Sequence, residues 1–361
     1  MDRQRRRCLH GLVAGAALGA LPAVGARPSA PGSGARLDVR EFGARGDGQG
    51  DDTRAFQAAI DALPDAGGTV VVPAGNYPIN PLRSLRLRSR MHFSMAADTR
   101  LVAMSNAAPR AYVLLLQQIE DVEVSGGRII GDRERHLGTT GEWGHGIMVR
   151  GSSRIRLHDL YITRCWGDGI SVGGLSRVRG SPPLPSRDVL IQDVVCQGNR
   201  RQGLTIGRSR HVRVLRSSFL DTGGVLPGCG IDVEPDPGGD ARDVLIEDCL
   251  VQGNQGAGIQ LYERVHDVTV RRCRILSNRG DGLHLRAATG GLIEGNEIRG
   301  NGLRGITVRA RSSGFRLRDN QLRGNAAQVA KRSGKEAGWM NLDVARGASS
   351  IQIDPSSRPG R

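Results

Sequence analysis

Large aromatic residues, lysine and regularly spaced cysteines are scarce in this chain of 361 residues. Phe, Tyr and Trp together make up 3% of it, so a Tyr or Trp at one point of a pattern is informative. Five cysteines follow residue 26, and their odd number and irregular spacing exclude a disulfide framework. CxxC and HxxxH spacings are missing, which argues against a zinc site. We expect buried free thiols at Cys165, Cys196, Cys229, Cys249 and Cys273.

The amino-terminal apolar run is too short and too rich in Gly and Ala to anchor the chain in a bilayer. Residues 1–26 combine a basic start, this run and a small-residue site at Val24-Gly25-Ala26. They predict an export signal. Consecutive arginines before Leu9 resemble a twin-arginine signal, with Cys8 where Phe is usual, and a Sec signal is the alternative. We therefore expect a periplasmic or secreted protein without a membrane anchor after cleavage.

Positive charge dominates the chain. The formal net charge is +15, and removal of residues 1–26, which carry four Arg and one Asp, lowers it to +12. This excess favours an anionic partner, although a GC-rich genome gives the same arginine bias. Helix-turn-helix, zinc-finger and RRM patterns are absent from the sequence, so a nucleic-acid partner is not expected.

A recurring glycine is the main signal in the sequence. It is followed each time by aliphatic and variable residues in alternation, at steps of 23, 34, 27, 28, 24 and 23 residues. The series is Gly146, Gly169, Gly203, Gly230, Gly258, Gly282 and Gly305. Self-similarity at this period is typical of a solenoid, and alternation with period two predicts a strand.

Each unit also carries a second alternating run, as in DVLIQDVVCQGN and DVLIEDCLVQGN, without helical periodicity. We therefore predict an all-β fold, a single-chain right-handed parallel β-helix over residues 37–330. Residues 331–361 would add a tail or a last strand. Asn199, Asn254, Asn278 and Asn301 recur four residues before the glycine, where stacked Asn side chains can hydrogen-bond to one another.

Residues 37–80 differ from the repeats and predict a cap. Asp52 or Thr53 can begin a helix in which Phe56, Ile60 and Leu63 share one face. The end of a β-helix exposes unpaired strands and core, so this helix is expected to cover it. The segments FGARGDGQGDDTRAFQAAIDA and GGTVVVPAGNY resemble the opening of the pectate lyase superfamily, which includes polygalacturonase-related proteins, phage tailspikes and alginate C5-epimerases. The resemblance implies the β-helix fold more strongly than it implies a reaction.

Side chains two residues apart on a strand share a face. The first and third residues after each glycine are aliphatic and should point inward, so the second and fourth should form two solvent-exposed columns. The second column is Met148, Ser171, Thr205, Asp232, Gln260, His284 and Thr307, and the fourth is Arg150, Gly173, Gly207, Glu234, Tyr262, Arg286 and Arg309. Small residues at 171, 173, 205 and 207 would leave room for a chain of sugars.

The two columns predict a catalytic group on three successive rungs: Asp232, Glu234, Tyr262 and His284. Two carboxylates, a phenol and an imidazole suit acid–base chemistry on a glycan. The alternative is that these side chains merely make an exposed strand face polar.

Further candidates for substrate binding flank these columns: Arg200, Arg201, Arg286, Trp143, Trp166, Asp168 and His145. Trp143 and Trp166 stand three residues before the glycine, where they would stack on sugar rings or brace the turn. Arg200 and Arg201 could bind a uronate carboxylate. His145 and Asp168 immediately precede the glycine.

Two families within this superfamily resemble the chain in different ways at these positions. In polygalacturonases the column before the glycine resembles a catalytic series of Asp, Asp and His, which only His145 and Asp168 suggest here, in the other order. The alginate epimerases resemble this chain in placing a catalytic Asp and His two and four residues after a glycine. Asp232 and Glu234 occupy those positions, so the similarity lies in position more than in identity.

Three activities fit this sequence. A lyase or C5-epimerase would neutralise a uronate carboxylate, with Arg200 or Arg286, and then remove the C5 proton. A glycoside hydrolase would use Asp232 and Glu234 as acid and base. A third alternative is non-catalytic binding of a glycan. Asp232 and Glu234 would repel an acidic polymer unless they bind Ca²⁺ or share one proton, and no other cofactor is expected.

Overall fold

Three long parallel β-sheets make up the structure. The computed structural model describes residues 34–176, 182–327, 329, 331 and 341–357, so the predicted export signal at residues 1–26 lies outside the described residues. The first two strands pair in one sheet. After them, consecutive strands go to different sheets, and each coil of the chain adds one strand to each sheet. The predicted all-β parallel β-helix is confirmed.

The strands are assigned to sheets A, B and C. Sheet A contains β1 (Ala35–Asp38), β2 (Gly68–Val72), β5 (Met91–Met95), β8 (Glu120–Ser125), β11 (Ser153–His158), β14 (Ser186–Gln192), β17 (Ser209–Leu215), β20 (Ala241–Glu247), β23 (Val265–Arg271), β26 (Thr289–Glu294), β29 (Ser313–Arg318) and β32 (Gln352–Ile353). Sheet B contains β3 (Gly75–Ile79), β6 (Thr99–Ala103), β9 (Arg128–Ile130), β12 (Tyr161–Thr163), β15 (Val195–Gln197), β18 (Ser218–Leu220), β21 (Leu250–Gln252), β24 (Arg274–Leu276), β27 (Glu297–Arg299) and β30 (Gln321–Arg323). Sheet C contains β4 (Leu85–Arg86), β7 (Arg110–Gln117), β10 (Trp143–Arg150), β13 (Ile170–Gly173), β16 (Leu204–Ile206), β19 (Ile231–Val233), β22 (Ile259–Leu261), β25 (Leu283–Leu285), β28 (Ile306–Val308) and β31 (Leu342–Val344).

The register of sheet C follows the predicted glycine repeat. The residues that follow the seven glycines pair with one another from strand to strand and are fully buried: Ile147, Ile170, Leu204, Ile231, Ile259, Leu283 and Ile306. A Cβ on Gly230 would lie 2.7 Å from the Asn254 side chain and 2.9 Å from the carbonyl oxygen of Gly258. The close stacking of coils therefore explains why glycine recurs there.

One α-helix, α1 (Thr53–Asp61), packs on the amino-terminal coils. Phe56 is fully buried, with its ring 5.0 Å from that of Tyr77 and 6.2 Å from that of Phe93. Asp52 is the N-cap residue, as predicted, but its carboxylate makes no hydrogen bond to the helix. It accepts hydrogen bonds from the backbone N–H groups of residues 45 and 46 instead (2.8 and 3.2 Å). Short 3-10 helices within the described residues lie at Val39–Phe42, Arg133–Arg135 and Pro355–Ser357.

The predicted asparagine column forms a buried ladder from Asn254 onwards. Asn199 does not join it, because its Oδ1 accepts the backbone N–H of Cys165 at 3.0 Å. Asn254 Nδ2 donates to Asn278 Oδ1 (2.8 Å), and Asn278 Nδ2 donates to Asn301 Oδ1 (3.0 Å). The ladder continues through Asn325 to Asn341. These bonds satisfy buried amides between coils, so the column is structural. The five predicted free thiols are also buried.

The segment after residue 330 contributes two short strands. In it, β31 pairs with β28 in sheet C and β32 pairs with β29 in sheet A. No helix in the described part of the chain has both the length and the apolar character needed to cross a bilayer.

Candidate functional site

A cleft of about 580 Å³ opens on the outer face of sheet C, and we call it the sheet C cleft. Its floor is formed by the predicted small residues, namely Ser171, Gly173, Thr205 and Gly207. A Cβ on Gly173 would meet no atom within 4 Å, so the space above this residue is open. The prediction that small side chains leave room on these rungs is confirmed.

Charged and aromatic residues enclose this floor. Arg110, Tyr112 and Trp143 line one end of the cleft, and Tyr262 and Arg264 line the other. Arg264 Nη2 donates to the carbonyl oxygen of Pro235 at 2.8 Å, which fixes the loop of residues 235–237 as a wall. The cleft therefore has rigid sides as well as an open floor.

The predicted exposure of the second column is wrong at several rungs. Asp232 and Thr307 are fully buried, and Ser171 and Thr205 are 8% and 9% exposed. Asp232 is buried because the side chain of Gln202, the residue before Gly203, covers it and hydrogen-bonds to its carboxyl group. Glu234 in the fourth column keeps 34% of its side chain exposed and lines the cleft.

Asp232 is held in an unusual environment for a carboxyl group. Gln202 Nε2 donates to its Oδ2 at 2.7 Å, and Gln260 Nε2 donates to its Oδ1 at 3.1 Å. Burial raises the pKa of Asp232 well above its usual value, and the neighbouring Glu234 carboxyl group raises it further. Of the two explanations predicted for this acidic pair, a proton held by Asp232 agrees with this environment.

The alternative explanation, Ca²⁺ between Asp232 and Glu234, does not fit the donor set. Both oxygens of Asp232 already accept amide hydrogens. Within the part of the chain that the structure describes, no group of three or more His, Cys, Asp or Glu side chains could hold a metal ion. Ca²⁺ usually takes six to eight oxygen ligands, so these two carboxyl groups alone make a poor site.

Arg201 lies at the centre of the cleft and contacts three carboxylates. Its Nη1 is 3.3 Å from Asp168 Oδ2, its Nε is 3.5 Å from Glu142 Oε2 and its Nη2 is 3.9 Å from Glu234 Oε2. Asp168 is fully buried and also accepts a hydrogen bond from the Thr205 hydroxyl at 2.9 Å. Arg201 thus orients three acids, and its charge is already compensated by the protein.

His145 and Tyr112 form a second cluster beside Asp168. The imidazole is 4% exposed and stacks on the Tyr112 ring, with centroids 5.6 Å apart. Its Nδ1 accepts the backbone N–H of Asp168 at 3.0 Å, which leaves the proton of the neutral ring on Nε2. Burial lowers the pKa of His145 and raises the pKa of Tyr112. At neutral pH both groups are therefore uncharged proton donors.

The two predicted tryptophans have different environments. Trp143 lines the cleft, is 40% exposed and has the Arg110 guanidinium 5.1 Å from its ring centre. Trp166 lies between the His136 ring, at 3.9 Å, and the Arg200 guanidinium, at 3.6 Å. Arg200 also donates to the carbonyl oxygen of Gly141 at 2.9 Å. Trp166 and Arg200 therefore brace a turn, and neither lines the sheet C cleft.

The remaining predicted residues lie towards the carboxyl-terminal rungs. Tyr262 lines the cleft one rung beyond Glu234, and the Arg286 guanidinium stands 4.9 Å from its ring centre. His284 Nδ1 is 2.7 Å from Asp281 Oδ2. His284 and Arg286 both lie outside the lining of the sheet C cleft.

Sequence reasoning missed several lining residues, among them Arg110, Tyr112 and Glu142, and gave no role to Arg150. Tyr112 pairs with His145 in the register of sheet C, but Val113 stands on that rung where the other coils have glycine. An alignment based on glycine therefore skips this rung. A search for aliphatic alternation in RAYVLLLQ would have found it.

Protein-family models match two segments of the chain. A right-handed beta helix region covers residues 226–338, and a rhamnogalacturonase A/epimerase, pectate lyase-like model covers residues 37–94. This chain is a right-handed parallel β-helix protein whose amino-terminal segment is pectate lyase-like. The predicted resemblance is confirmed at both ends of the solenoid.

Solved structures share the β-helix fold with this chain. The A-module of mannuronan C-5 epimerase AlgE6 from Azotobacter vinelandii superposes with a TM-score of 0.69 at 19% identity, covering 80% of this chain and 77% of that one. The A-module of AlgE4 from the same organism gives a TM-score of 0.65 at 17% identity, covering 88% and 95%. The Dettilon tailspike protein gives 0.60 at 15% identity, covering 88% and 61%.

Curated relatives match at low identity or over short segments. The uncharacterized protein YclG of Bacillus subtilis (strain 168) is 25% identical over 281 residues, which cover 72% of this chain and 45% of that protein. Alginate lyase 7 of Azotobacter vinelandii is 57% identical over 44 residues, which cover 12% and 5%. The chain thus spans less than half the length of these relatives.

Proposed function

We propose that this protein acts on a uronate-containing polysaccharide in the sheet C cleft by removing the proton at C5, as a lyase or a C5-epimerase. One observation carries the proposal: a partly exposed carboxylate, Glu234, and uncharged proton donors line one open cleft. The similarity to mannuronan C5-epimerase modules supports the same chemistry. The export predicted for residues 1–26 is consistent with a polymeric substrate outside the cytoplasm.

At the end opposite Glu234, the cleft carries cationic side chains that could bind an acidic sugar. Arg110 and Arg150 line it without forming an ion pair to any residue that the structure describes. Arg150, Gly173, Gly207 and Glu234 occupy consecutive rungs of the fourth column, which spans about 14 Å at the usual strand spacing. A sugar ring on the glycine floor would therefore lie between a guanidinium and a carboxylate.

The proposed chemistry begins with charge neutralisation of the substrate carboxylate by Arg150, since a free carboxylate makes the C5 proton a very weak acid. Glu234 then accepts the C5 proton. Buried Asp232 retains its proton, and Glu234, which is partly exposed in the cleft, is the carboxyl group that we assign as the base. Arg201 positions Glu234 and Asp168 through its two terminal nitrogens.

A proton donor completes either outcome. In an elimination, the electron pair from the C5–H bond forms the C4–C5 double bond, the C4–O bond breaks, and the leaving oxygen takes a proton. In an epimerisation, a proton returns to C5 from the opposite face. Tyr262, beside Glu234, and the Tyr112–His145 pair at the other end of the cleft are the donors that we assign.

Glycoside hydrolysis is the second candidate, and the three carboxylates around Arg201 favour it. Glu142, Asp168 and Glu234 would give a neutral glycan an acid and a base within one cleft, and they would repel an acidic one. The structural similarity to a tailspike protein is equally compatible with binding alone.

A substrate panel separates these alternatives. The protein would be incubated with polygalacturonate, alginate and neutral glycans while absorbance near 235 nm and reducing ends are followed. Absorbance at that wavelength identifies elimination, reducing ends without it identify hydrolysis, and altered NMR signals of the uronate with neither identify epimerisation. Binding without any product would contradict the proposal.

Two variants test the site itself. Glu234→Gln removes the proton acceptor while keeping its shape, and we expect turnover to fall by about 100-fold or more. His284→Ala, outside the cleft, should retain most of the activity. Equal losses in both variants would mean that the reaction takes place on the more carboxyl-terminal rungs.

A further inference from the structure

A second cleft, of about 480 Å³, lies on the outer face of sheet B, and we call it the sheet B cleft. It is lined chiefly by Arg100, Val102, Arg128, Ile130, Tyr161 and Arg164, with Glu134 and Arg135 at its rim. It shares no lining residue with the sheet C cleft. Because sheets B and C are different faces of the solenoid, the two clefts can be occupied independently.

The charge of the sheet B cleft is mostly uncompensated. Among the residues that the structure describes, Arg100, Arg128 and Arg135 have no carboxylate partner within ion-pair distance, while Arg164 pairs with Glu134 at 3.6 Å. Arginines on the outer face of sheet A differ. Arg154, for example, binds Glu120 and Asp121, both at 2.6 Å. The sheet B cleft therefore has a local excess of positive charge.

Stacking of the coils holds these charges close together. Arg100 on β6 and Arg128 on β9 are register partners, about 4.8 Å apart across the sheet. Like charges placed directly opposite each other on neighbouring strands destabilise the sheet. A bound anion would offset this repulsion, and two guanidinium groups on neighbouring strands can both hydrogen-bond to one carboxylate.

The cleft also has an apolar part. Val102 and Ile130 are register partners and lie half-buried beside the arginines. The Tyr161 hydroxyl donates to Gln197 Oε1 at 2.7 Å, and the Arg128 guanidinium stands 5.2 Å from the ring centre. The ring is thus fixed in place. An inorganic anion needs only the cations, whereas an acidic sugar presents both a carboxylate and apolar C–H faces.

We propose that the sheet B cleft is a second, non-catalytic binding site for an acidic polysaccharide. It would hold a polymer on a face away from the sheet C cleft and so keep the protein attached while another segment is processed. The inference rests on the proposed function only for the class of ligand.

The test compares two charge-matched double variants of the full chain. Arg100→Gln/Arg128→Gln removes two cations of the sheet B cleft. Arg154→Gln/Arg272→Gln, called the sheet A variant, removes two exposed cations on or next to sheet A; Arg272 directly follows β23 and is paired with Glu247 and Asp248. Binding to polygalacturonate and alginate would be measured by affinity electrophoresis and calorimetry, with a neutral glycan as a blank. Circular dichroism melts would verify folding of both variants.

We expect the sheet B variant to weaken binding by about tenfold, since two guanidinium groups that would donate charge-assisted hydrogen bonds to the polymer are lost. The sheet A variant should change affinity by less than about twofold, because its arginines are already paired. Equal weakening in both variants would overturn the proposal, since net charge alone would then explain binding. Single-stranded DNA would be tested as a second type of acidic polymer. If the sheet B variant lost affinity for this DNA but kept its affinity for the polysaccharides, the proposal would also be overturned.

Turnover separates this inference from the proposed function. With a short oligosaccharide that fills only the sheet C cleft, the Arg100→Gln/Arg128→Gln variant should be as active as the parent protein. If no substrate is turned over but the sheet B variant still loses polysaccharide binding, the proposed function fails and this inference stands. If turnover occurs and binding is unchanged, the inference fails alone.

Discussion

The buried carboxyl group of Asp232 gives a prediction about stability. Its raised pKa means that the folded state binds this proton more tightly than the unfolded state does. The stability that it contributes is therefore present below the unfolded pKa of about 4 and is lost as pH rises towards the folded pKa. Each pH unit in that window costs about 1.4 kcal/mol.

Asp232→Asn should remove this cost. Gln202 cannot turn its amide, because its Oε1 accepts the backbone N–H of Cys229 at 2.8 Å. The new Asn Oδ1 would therefore face Gln202, and its Nδ2 would face Gln260, whose amide can rotate to accept. All donors stay satisfied, so the substitution costs little in the packed structure.

Urea unfolding followed by circular dichroism between pH 4 and pH 8 would measure the difference. We expect the Asn variant to gain stability relative to the parent protein as pH rises, with a difference of at least about 1 kcal/mol at pH 7. A variant that is less stable at every pH, by a constant amount, would refute the reasoning. Asp232 would then be an ionised group stabilised by its two amide donors.

Three further predictions concern the cleft and the solenoid. Gly173→Val should lower turnover by about tenfold or more, because the valine side chain fills the open space above the floor. Gln252→Val on sheet B serves as the control, and unchanged turnover in Gly173→Val would place the substrate elsewhere. Arg201→Gln should destabilise the fold by about 3 kcal/mol, since buried Asp168 loses its counter-charge. Adding Asp168→Asn should recover part of the lost stability, and strictly additive effects of the two substitutions would contradict this coupling. Asn278→Ala should lower the free energy of unfolding in urea by about 2–4 kcal/mol, because it leaves the neighbouring groups of the asparagine ladder unpaired. A loss below about 1 kcal/mol would show that water replaces the missing hydrogen bonds.

Much of the fold could be predicted from the sequence because coil stacking imposes strict local requirements. Gly230 and Gly258 are needed where a Cβ would meet the next coil, and Asn278 is needed where turns stack. These requirements recur at a fixed spacing, so one chain reveals them without relatives. The helix α1 followed from its apolar spacing, but the bonding of its N-cap residue did not, because the Asp52 carboxylate hydrogen-bonds to a loop instead.

The candidate site could be predicted only in part. Strand alternation placed Gly173, Gly207 and Glu234 on the floor and wall of the cleft. It could not show that Gln202, from the preceding turn, covers Asp232, because turns do not follow the strand period. Tyr112 was missed since its rung has Val113 in place of the glycine.

The central claim is that Glu234 removes the C5 proton of a uronate residue bound on the glycine floor of the sheet C cleft. The most direct test is ¹H NMR of the C5–H signal of polygalacturonate and alginate incubated in D₂O with the protein and with Glu234→Gln. We predict that the signal decays with the parent protein, through exchange or elimination, and persists with the variant. A C5–H signal that stays intact while glycosidic bonds are cleaved would contradict the account.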